Sequence, residues 1–100
     1  MIERTLLINA RLGLHARAAA KLVRVASAFQ SEVLLRRLDD PKGASVSADA
    51  KSILSVLMLA ASFGTELLAS AEGTDEEAAL NAVAQLFAAG FGETEPESSL

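Results

Sequence analysis

The hundred residues predict an α+β open-faced sandwich: a mainly antiparallel four-stranded sheet with three helices on one face, in the order β-α-β-β-α-β-α. Three observations carry this. Runs of alternating apolar residues take turns along the chain with runs of helical periodicity. A mid-chain cluster, Asp39-Asp40-Pro41-Lys42-Gly43, has the chemistry of a turn between two short strand-like runs. Finally, 51% of the residues are hydrophobic and 22% charged, which gives a chain of one-domain length enough apolar surface for a single core.

Residues 2–8 place Ile2, Arg4, Leu6 and Ile8 on one side of a strand and Glu3, Thr5 and Leu7 on the other. A loop around Gly13 follows. Ala19, Leu22, Val23, Ala26 and Phe29 recur at helical spacing, which predicts a helix over 16–29. A second face of that helix carries Arg17, Lys21 and Arg24 as a basic stripe, and Ala18-Ala19-Ala20 joins high helix propensity to room for close packing. Residues 32–38 read as the second strand. Ala44, Val46 and Ala48, alternating with Ser45 and Ser47, read as its returning partner. Residues 52–61 form a short helix with Ser52 as N-cap, broken by Gly64. Residues 65–71 form the fourth strand. Thr74-Asp75-Glu76-Glu77 spells a capping box, with Thr at N-cap and Glu at N3. The helix behind it carries Leu80, Val83, Ala84 and Phe87 in one stripe and ends at Gly90. The expected organisation is one domain over 1–91 and a flexible acidic tail over 92–100.

Composition narrows the chemistry. With no cysteine and one histidine, disulfides, thiolate nucleophiles and multi-histidine metal sites are excluded, and no cofactor is expected. Four phenylalanines are the whole aromatic complement, and the net charge is −4, so a general nucleic-acid binder is not expected. The charge is divided. Residues 1–51 hold all nine Lys and Arg and five acids, a balance of +4; residues 52–100 hold eight acids and no base, a balance of −8. That asymmetry predicts two faces with different partners, or a basic docking face balanced by an acidic back. No secretory leader is expected from the opening Met1-Ile2-Glu3-Arg4, and the longest apolar stretch, from Ile53 to Ala61, is too short to span a bilayer. A soluble, cytoplasmic, monomeric domain without membrane insertion is expected.

His15 is the first candidate for chemistry. It lies at the mouth of the first helix, where unpaired N–H groups and a partial positive charge make an anion site. A neutral imidazole can attack a phosphoryl donor, and Arg17 can hold phosphoryl oxygens by charge-assisted hydrogen bonds. On spacing alone, a histidine that merely caps an exposed loop explains the same residues. Asp75, Glu76 and Glu77 are most simply dipole-complementing acids of a first helical turn, and Arg36 and Arg37 strand-surface charges.

Leu14-His15-Ala16-Arg17, followed by Ala19-Ala20-Lys21-Leu22-Val23, resembles the active-site segment of the HPr family, the phosphocarrier proteins of the bacterial phosphotransferase system. Further segments extend the likeness over residues 2–91. Phe29-Gln30-Ser31-Glu32-Val33 resembles the entry to the family's second strand, Lys51-Ser52-Ile53 its regulatory serine segment, and Gly64-Thr65-Glu66 its last strand. Ala71-Glu72-Gly73-Thr74-Asp75-Glu76-Glu77-Ala78-Ala79-Leu80 resembles the approach to its last helix. The resemblance implies a stoichiometric relay, not a turnover enzyme. A phosphoenolpyruvate-charged enzyme I would pass a phosphoryl group to Nδ1 of His15, Arg17 would stabilise it, and an acceptor of the enzyme IIA kind would take it away. Two features depart from the family. Ala18 stands where proline is usual, and alanine should preserve the helix. The turn over 39–43 is longer than usual.

The resemblance also implies that Ser52 can be phosphorylated by an HPr serine kinase/phosphorylase, although a helix cap alone would account for a serine there. Docking in the family uses the first two helices, which points to Arg17, Ala20, Lys21, Arg24, Lys51, Ile53, Leu54 and Leu57, with Ile53, Leu54 and Leu57 as an apolar patch beside His15. Glu32-Val33-Leu34-Leu35-Arg36 and the segment from Leu86 to Phe91 look nitrogen-type, whereas Lys51-Ser52-Ile53 looks like the kinase-regulated, sugar-transport type. The alternative is a serine-phosphorylated, corepressor-like regulatory binding module without phosphoryl relay.

Overall fold

A computed structural model of the chain describes residues 1–39 and 47–92. The elements are β1 (Ile2–Leu7), α1 (Ala16–Ser27), β2 (Glu32–Arg37), β3 (Ala48–Asp49), α2 (Ile53–Met58), β4 (Glu66–Glu72), α3 (Glu76–Ala88) and a closing 3₁₀ turn, Gly90–Gly92. The sheet order is β1-β4-β2-β3, and every neighbouring pair is antiparallel. This is the α+β open-faced sandwich that the alternation of periods predicted. The turn residues 40–43, and the returning strand up to Val46, lie outside the described residues. The described remainder of that strand is Ala48–Asp49, paired with Leu35 and Leu34.

The pleat decides which side chains enter the core. In β1 and just beyond it, Leu6 and Ile8 point inward; in β2 it is Val33 and Leu35; in the central strand β4 it is Leu67, Ala69 and Ala71. The alanines of β4 let the helices settle close to the sheet. α1 contributes Ala18, Ala19, Leu22 and Ala26, and α3 contributes Ala79, Leu80, Val83 and Phe87. Each fully buried leucine of this set stabilises the fold by about 1.5–3 kcal/mol relative to exposure. Arg4 shares the inward side of β1 but sits at the sheet edge, where its guanidinium donates to Asn81 Oδ1 on α3 at 3.1 Å. Phe91 joins the core too. Its backbone is left-handed (φ 60°), its side chain is fully buried, and its ring packs tilted against Phe87 at 4.8 Å between centroids.

Three local expectations are corrected. The first is the start of α3. The predicted capping box does not form, and the N-cap is Asp75 rather than Thr74. The Asp75 carboxylate makes no cap of its own. It accepts from the backbone N–H groups of Gln30 and Ser31, each at 2.9 Å, and from the Ser31 hydroxyl. Ser31 is fully buried, so its polar atoms need these partners, and they take the carboxylate away from the helix end. Glu76 reaches back to donor Gly73 N at 3.1 Å. The second correction is the end of α2, which stops at Met58, well before Gly64. Ala60 turns the chain with a left-handed backbone (φ 52°). The third is Arg37, which is no idle surface charge. It pairs with Asp39 at 2.7 Å and donates to the carbonyls of Leu59 and Ala60 just past α2, holding that turn against β2.

Candidate functional site

α1 begins where the sequence placed it, and Ala18 in place of proline leaves the helix regular from Ala16 onward. His15 is its N-cap. The backbone there is extended (φ −80°, ψ −179°), its carbonyl accepts from Ala19 N at 2.8 Å, and its Nδ1 accepts the backbone N–H of Arg17 at 3.2 Å. An imidazole nitrogen that accepts a hydrogen bond carries a lone pair and no proton. Nδ1 is therefore the unprotonated nitrogen, held at the positive end of a helix with no acidic residue in its first turn. His15 itself is half-buried, whereas Arg17 is exposed.

The loop that delivers His15 is built by close packing. Gly13 takes a left-handed backbone (φ 70°), and a Cβ there would lie 2.6 Å from the Ala61 carbonyl oxygen and 2.9 Å from Ser62 Cα. Next to it, Leu14 N donates to that Ala61 carbonyl at 2.9 Å. So the segment before α1 lies directly against the segment after α2, and only glycine permits the approach.

This contact also sets the direction of α2. At the other end of the pair, Lys51 Nζ donates to Phe29 O, beyond the C-terminus of α1, at 2.8 Å. The two helices therefore run antiparallel. Ser52 lies toward the far end of α1 from His15, and the twelve residues of α1 span roughly 18 Å at about 1.5 Å each. The structure does not bring the two candidate serine and histidine sites together. Ser52 caps α2, its Oγ accepting from Ser55 N at 3.3 Å.

The predicted docking residues divide. Arg17 and Arg24 are exposed. Ala20, Lys21 and Lys51 are half-buried, and both lysines are engaged: Lys21 Nζ donates to Phe91 O at 2.7 Å, and Lys51 to Phe29 O. Ile53 and Leu54 are exposed, but Leu57 packs partly against the core. The exposed apolar residue at the His15 end of α2 is Met58, at 75% exposure, with Leu12 of the preceding loop equally exposed. Of the patch expected beside His15, Leu57 is half-buried, Ile53 and Leu54 lie at the Ser52 end of α2, and the exposed apolar side chain at the His15 end is Met58. Sequence reasoning had the means to find it, since Met58 follows Leu54 at one helical turn and so shares its face. It had no means to find the Arg17 N–H to Nδ1 bond, which depends on the cap geometry.

Among the described residues no group of three or more His, Cys, Asp or Glu could hold a metal ion, and no helix is long and apolar enough to cross a membrane.

Residues 2–89 match the family model for the PTS HPr component phosphorylation site. The chain is 45% identical to the phosphocarrier protein HPr of Xylella fastidiosa (strain 9a5c) over 93% of its own length and 98% of that protein. It is 39% identical to the phosphocarrier protein NPr of Escherichia coli (strain K12) over 92% of its own length and 97% of that protein. Among solved structures, it superposes on the crystal structure of HPr-C-His from Thermoanaerobacter tengcongensis with a TM-score of 0.84 and 38% identity, covering 95% of this chain and all of that one. With the family model spanning nearly the whole chain and relatives of this identity aligned end to end, the protein belongs to the HPr family of phosphotransferase-system phosphocarriers.

Proposed function

We propose that the chain is a stoichiometric histidine phosphocarrier that takes a phosphoryl group from phosphoenolpyruvate-charged enzyme I and delivers it to an enzyme IIA-type acceptor. The observation that carries the reading is the Nδ1 lone pair of His15, bare of a proton and held at the open N-terminus of α1 by the Arg17 N–H. In the transfer, that lone pair attacks phosphorus, the new N–P bond forms, and the donor's bond to phosphorus breaks. The Nε2 proton stays on the ring. The Arg17 N–H then loses its acceptor at Nδ1 and turns to a phosphoryl oxygen, joined by the first-turn N–H groups that the helix does not use. The Arg17 guanidinium supplies the mobile counter-charge. These contacts stabilise a phosphoryl group without trapping it, as a relay requires.

The same reading makes Arg17, Arg24, Ile53, Leu54 and Met58 the exposed docking set, while Ala20, Lys21, Lys51 and Leu57 shape the surface beneath it. Ser52 is a regulatory phosphorylation site within that set. Because α2 runs antiparallel to α1, a dianion there acts on docking at a distance from His15, by repelling an acidic partner surface. The location is cytoplasmic, where enzyme I and phosphoenolpyruvate would be met. Sugar-type and nitrogen-type service both fit, since relatives named HPr and NPr align at similar identity.

The test is intact mass after incubation with phosphoenolpyruvate and a bacterial enzyme I, before and after mild acid. One acid-labile phosphoryl, missing in His15→Ala, is the expected result. A fully folded His15→Ala protein that still takes up the group would overturn the assignment.

A further inference from the structure

The loop that carries His15 is fixed at both ends on one support, the segment from Leu59 to Thr65. At its start, Ile8 N donates to Thr65 O and Gly64 N donates to Ile8 O, each at 2.9 Å. At its end, Leu14 N donates to Ala61 O at 2.9 Å, and the Gly13 backbone lies against Ala61 and Ser62. The place of the imidazole is thus set by where this support stands. Its weak point is Ala60. The backbone there is left-handed (φ 52°), a conformation that a residue with a Cβ keeps only when its surroundings impose it.

Arg37 imposes it. It is the last residue of β2, opposite Leu67, and it alternates with the buried Val33 and Leu35 on the helix-bearing side of the sheet. Its Nη1 donates to Leu59 O at 3.1 Å and to Ala60 O at 3.3 Å. The Asp39 carboxylate takes the other side of the guanidinium, through Nε at 2.9 Å and Nη2 at 2.7 Å. That bidentate pair fixes the plane of the guanidinium, so Nη1 stays aimed at the two carbonyls. The same hydrogen bonding from Arg37 holds the Asp39 carboxyl below its ordinary value of 3.8.

We propose that Arg37 is a positioning residue for phosphoryl transfer: by holding the Leu59–Ala60 turn it keeps the support in place and, through Ala61 and Leu14, keeps the His15 imidazole in line with the incoming phosphorus. The proposal rests on the relay reading of His15. Attack by Nδ1 depends on alignment, and misplacing a reacting group by about 1 Å costs up to ~100-fold in rate. Loss of the guanidinium lets the turn relax by part of that distance, which sets the expected loss at about five- to tenfold. The loss falls on the transfer step and not on docking, because the exposed docking set of Arg17, Arg24, Ile53, Leu54 and Met58 is untouched.

Full-length variants separate position from charge. Arg37→Met removes both the charge and the fork. Arg37→Lys keeps the charge, but a point donor cannot hold two carbonyls and a carboxylate at once. Arg37→Met joined to Ala60→Gly also lacks both, but gives the turn a residue at ease in the left-handed region. Arg4→Met, which cuts the guanidinium contact to Asn81, is the control remote from the support. Two quantities are read on each folded variant: the transfer rate from phosphorylated enzyme I as its concentration is raised to saturation, and the hydrogen exchange of the Leu14 amide. Arg37→Met should transfer about five- to tenfold more slowly at saturation, with the half-saturating concentration unchanged and Leu14 exchanging faster. Ala60→Gly should recover most of both losses, Arg37→Lys less, and Arg4→Met should show neither. An unchanged rate or unchanged Leu14 exchange in Arg37→Met would overturn the proposal. So would full recovery by lysine with none by glycine, which would assign the effect to charge. If the unsubstituted chain takes no phosphoryl group from enzyme I, the relay reading has failed, and faster Leu14 exchange in Arg37→Met shows that the hold of Arg37 on the loop stands without it.

Discussion

Two helix N-termini in this molecule meet the same physical problem and resolve it in opposite ways. Each presents backbone N–H groups with no partner inside the helix, and each gathers partial positive charge. At α3 the protein fills that end itself, with Glu76 and Glu77 in the first turn, while the carboxylate of Asp75 at the cap position turns away to Gln30 and Ser31. At α1 no acid is present in the first turn, and the N-cap is a histidine whose Nδ1 accepts from Arg17 N at 3.2 Å. The α3 end is neutralised by covalently attached carboxylates, so it serves stability. The α1 end carries no acid of its own, and under the proposed relay it would receive an anion that arrives and departs. The basic residues follow the same division, since α1 carries Arg24 in its last turn while α3 has no base there.

Removing the mobile charge at the open end should have the largest effect. Arg17→Ala should slow phosphoryl uptake on the order of a hundredfold, the scale for losing one preorganised donor to a developing anion. Circular dichroism should stay unchanged, because the Arg17 side chain is exposed. Rapid-quench transfer kinetics check this, and an unchanged rate would remove Arg17 from the chemistry.

A more pointed test makes α1 resemble α3. Ala16 is exposed at the first helical position, so Ala16→Glu supplies the missing first-turn acid without entering the core. Stability should rise by about 0.3–1 kcal/mol from the dipole. Phosphoryl uptake should fall about tenfold, a barrier increase of ~1.4 kcal/mol. Urea midpoints and transfer rates measured on one preparation decide it. A variant that is both more stable and equally fast would mean that the open end of α1 is not where the phosphoryl group sits.

What the sequence revealed divides along the same line. Period and propensity are local, so α1, the strands and the existence of α3 were legible from residues such as Leu22, Leu80 and Phe87. The histidine was legible because its neighbours at fixed spacing carry the family motif. What was not legible depends on contacts between distant segments. Asp75 looked like part of a capping box, and nothing near it in the chain announces that Ser31, more than forty residues earlier, is buried and needs its carboxylate. Arg37 looked like a surface charge because its carbonyl partners lie past a helix whose end was set by Ala60 and not by Gly64. Phe91 looked like the end of a domain, yet its left-handed backbone folds it into the core.

The closed end makes its own prediction, in pH. The Ser31 hydroxyl bond, followed by the Gln30 N–H bond, holds the Asp75 carboxyl below its ordinary value of 3.8. A carboxylate whose folded-state value is depressed contributes stability that is fully present above the unfolded value and lost as pH falls through the folded one. Asp75→Asn should therefore lower the urea midpoint at pH 7, lessen the loss of stability below about pH 4, and leave phosphoryl uptake at His15 unaffected. An acid limb identical to that of the unsubstituted protein would show that the carboxylate is not held as the geometry has it.

The smallest expected effect belongs to Thr74. Had the capping box formed, Thr74→Ala would remove an N-cap oxygen at a typical cost of ~1 kcal/mol. The residue is exposed, the cap position belongs to Asp75, and the back-reaching glutamate is Glu76, bonded to Gly73 N. Thr74→Ala should change stability by less than about 0.5 kcal/mol, as expected for surface substitutions away from such features. Equilibrium urea denaturation resolves the two values. A loss of the full cap energy would restore Thr74 to the cap and would weaken the contrast between the two helix ends, because α3 would then be closed by a hydroxyl as well as by its acids.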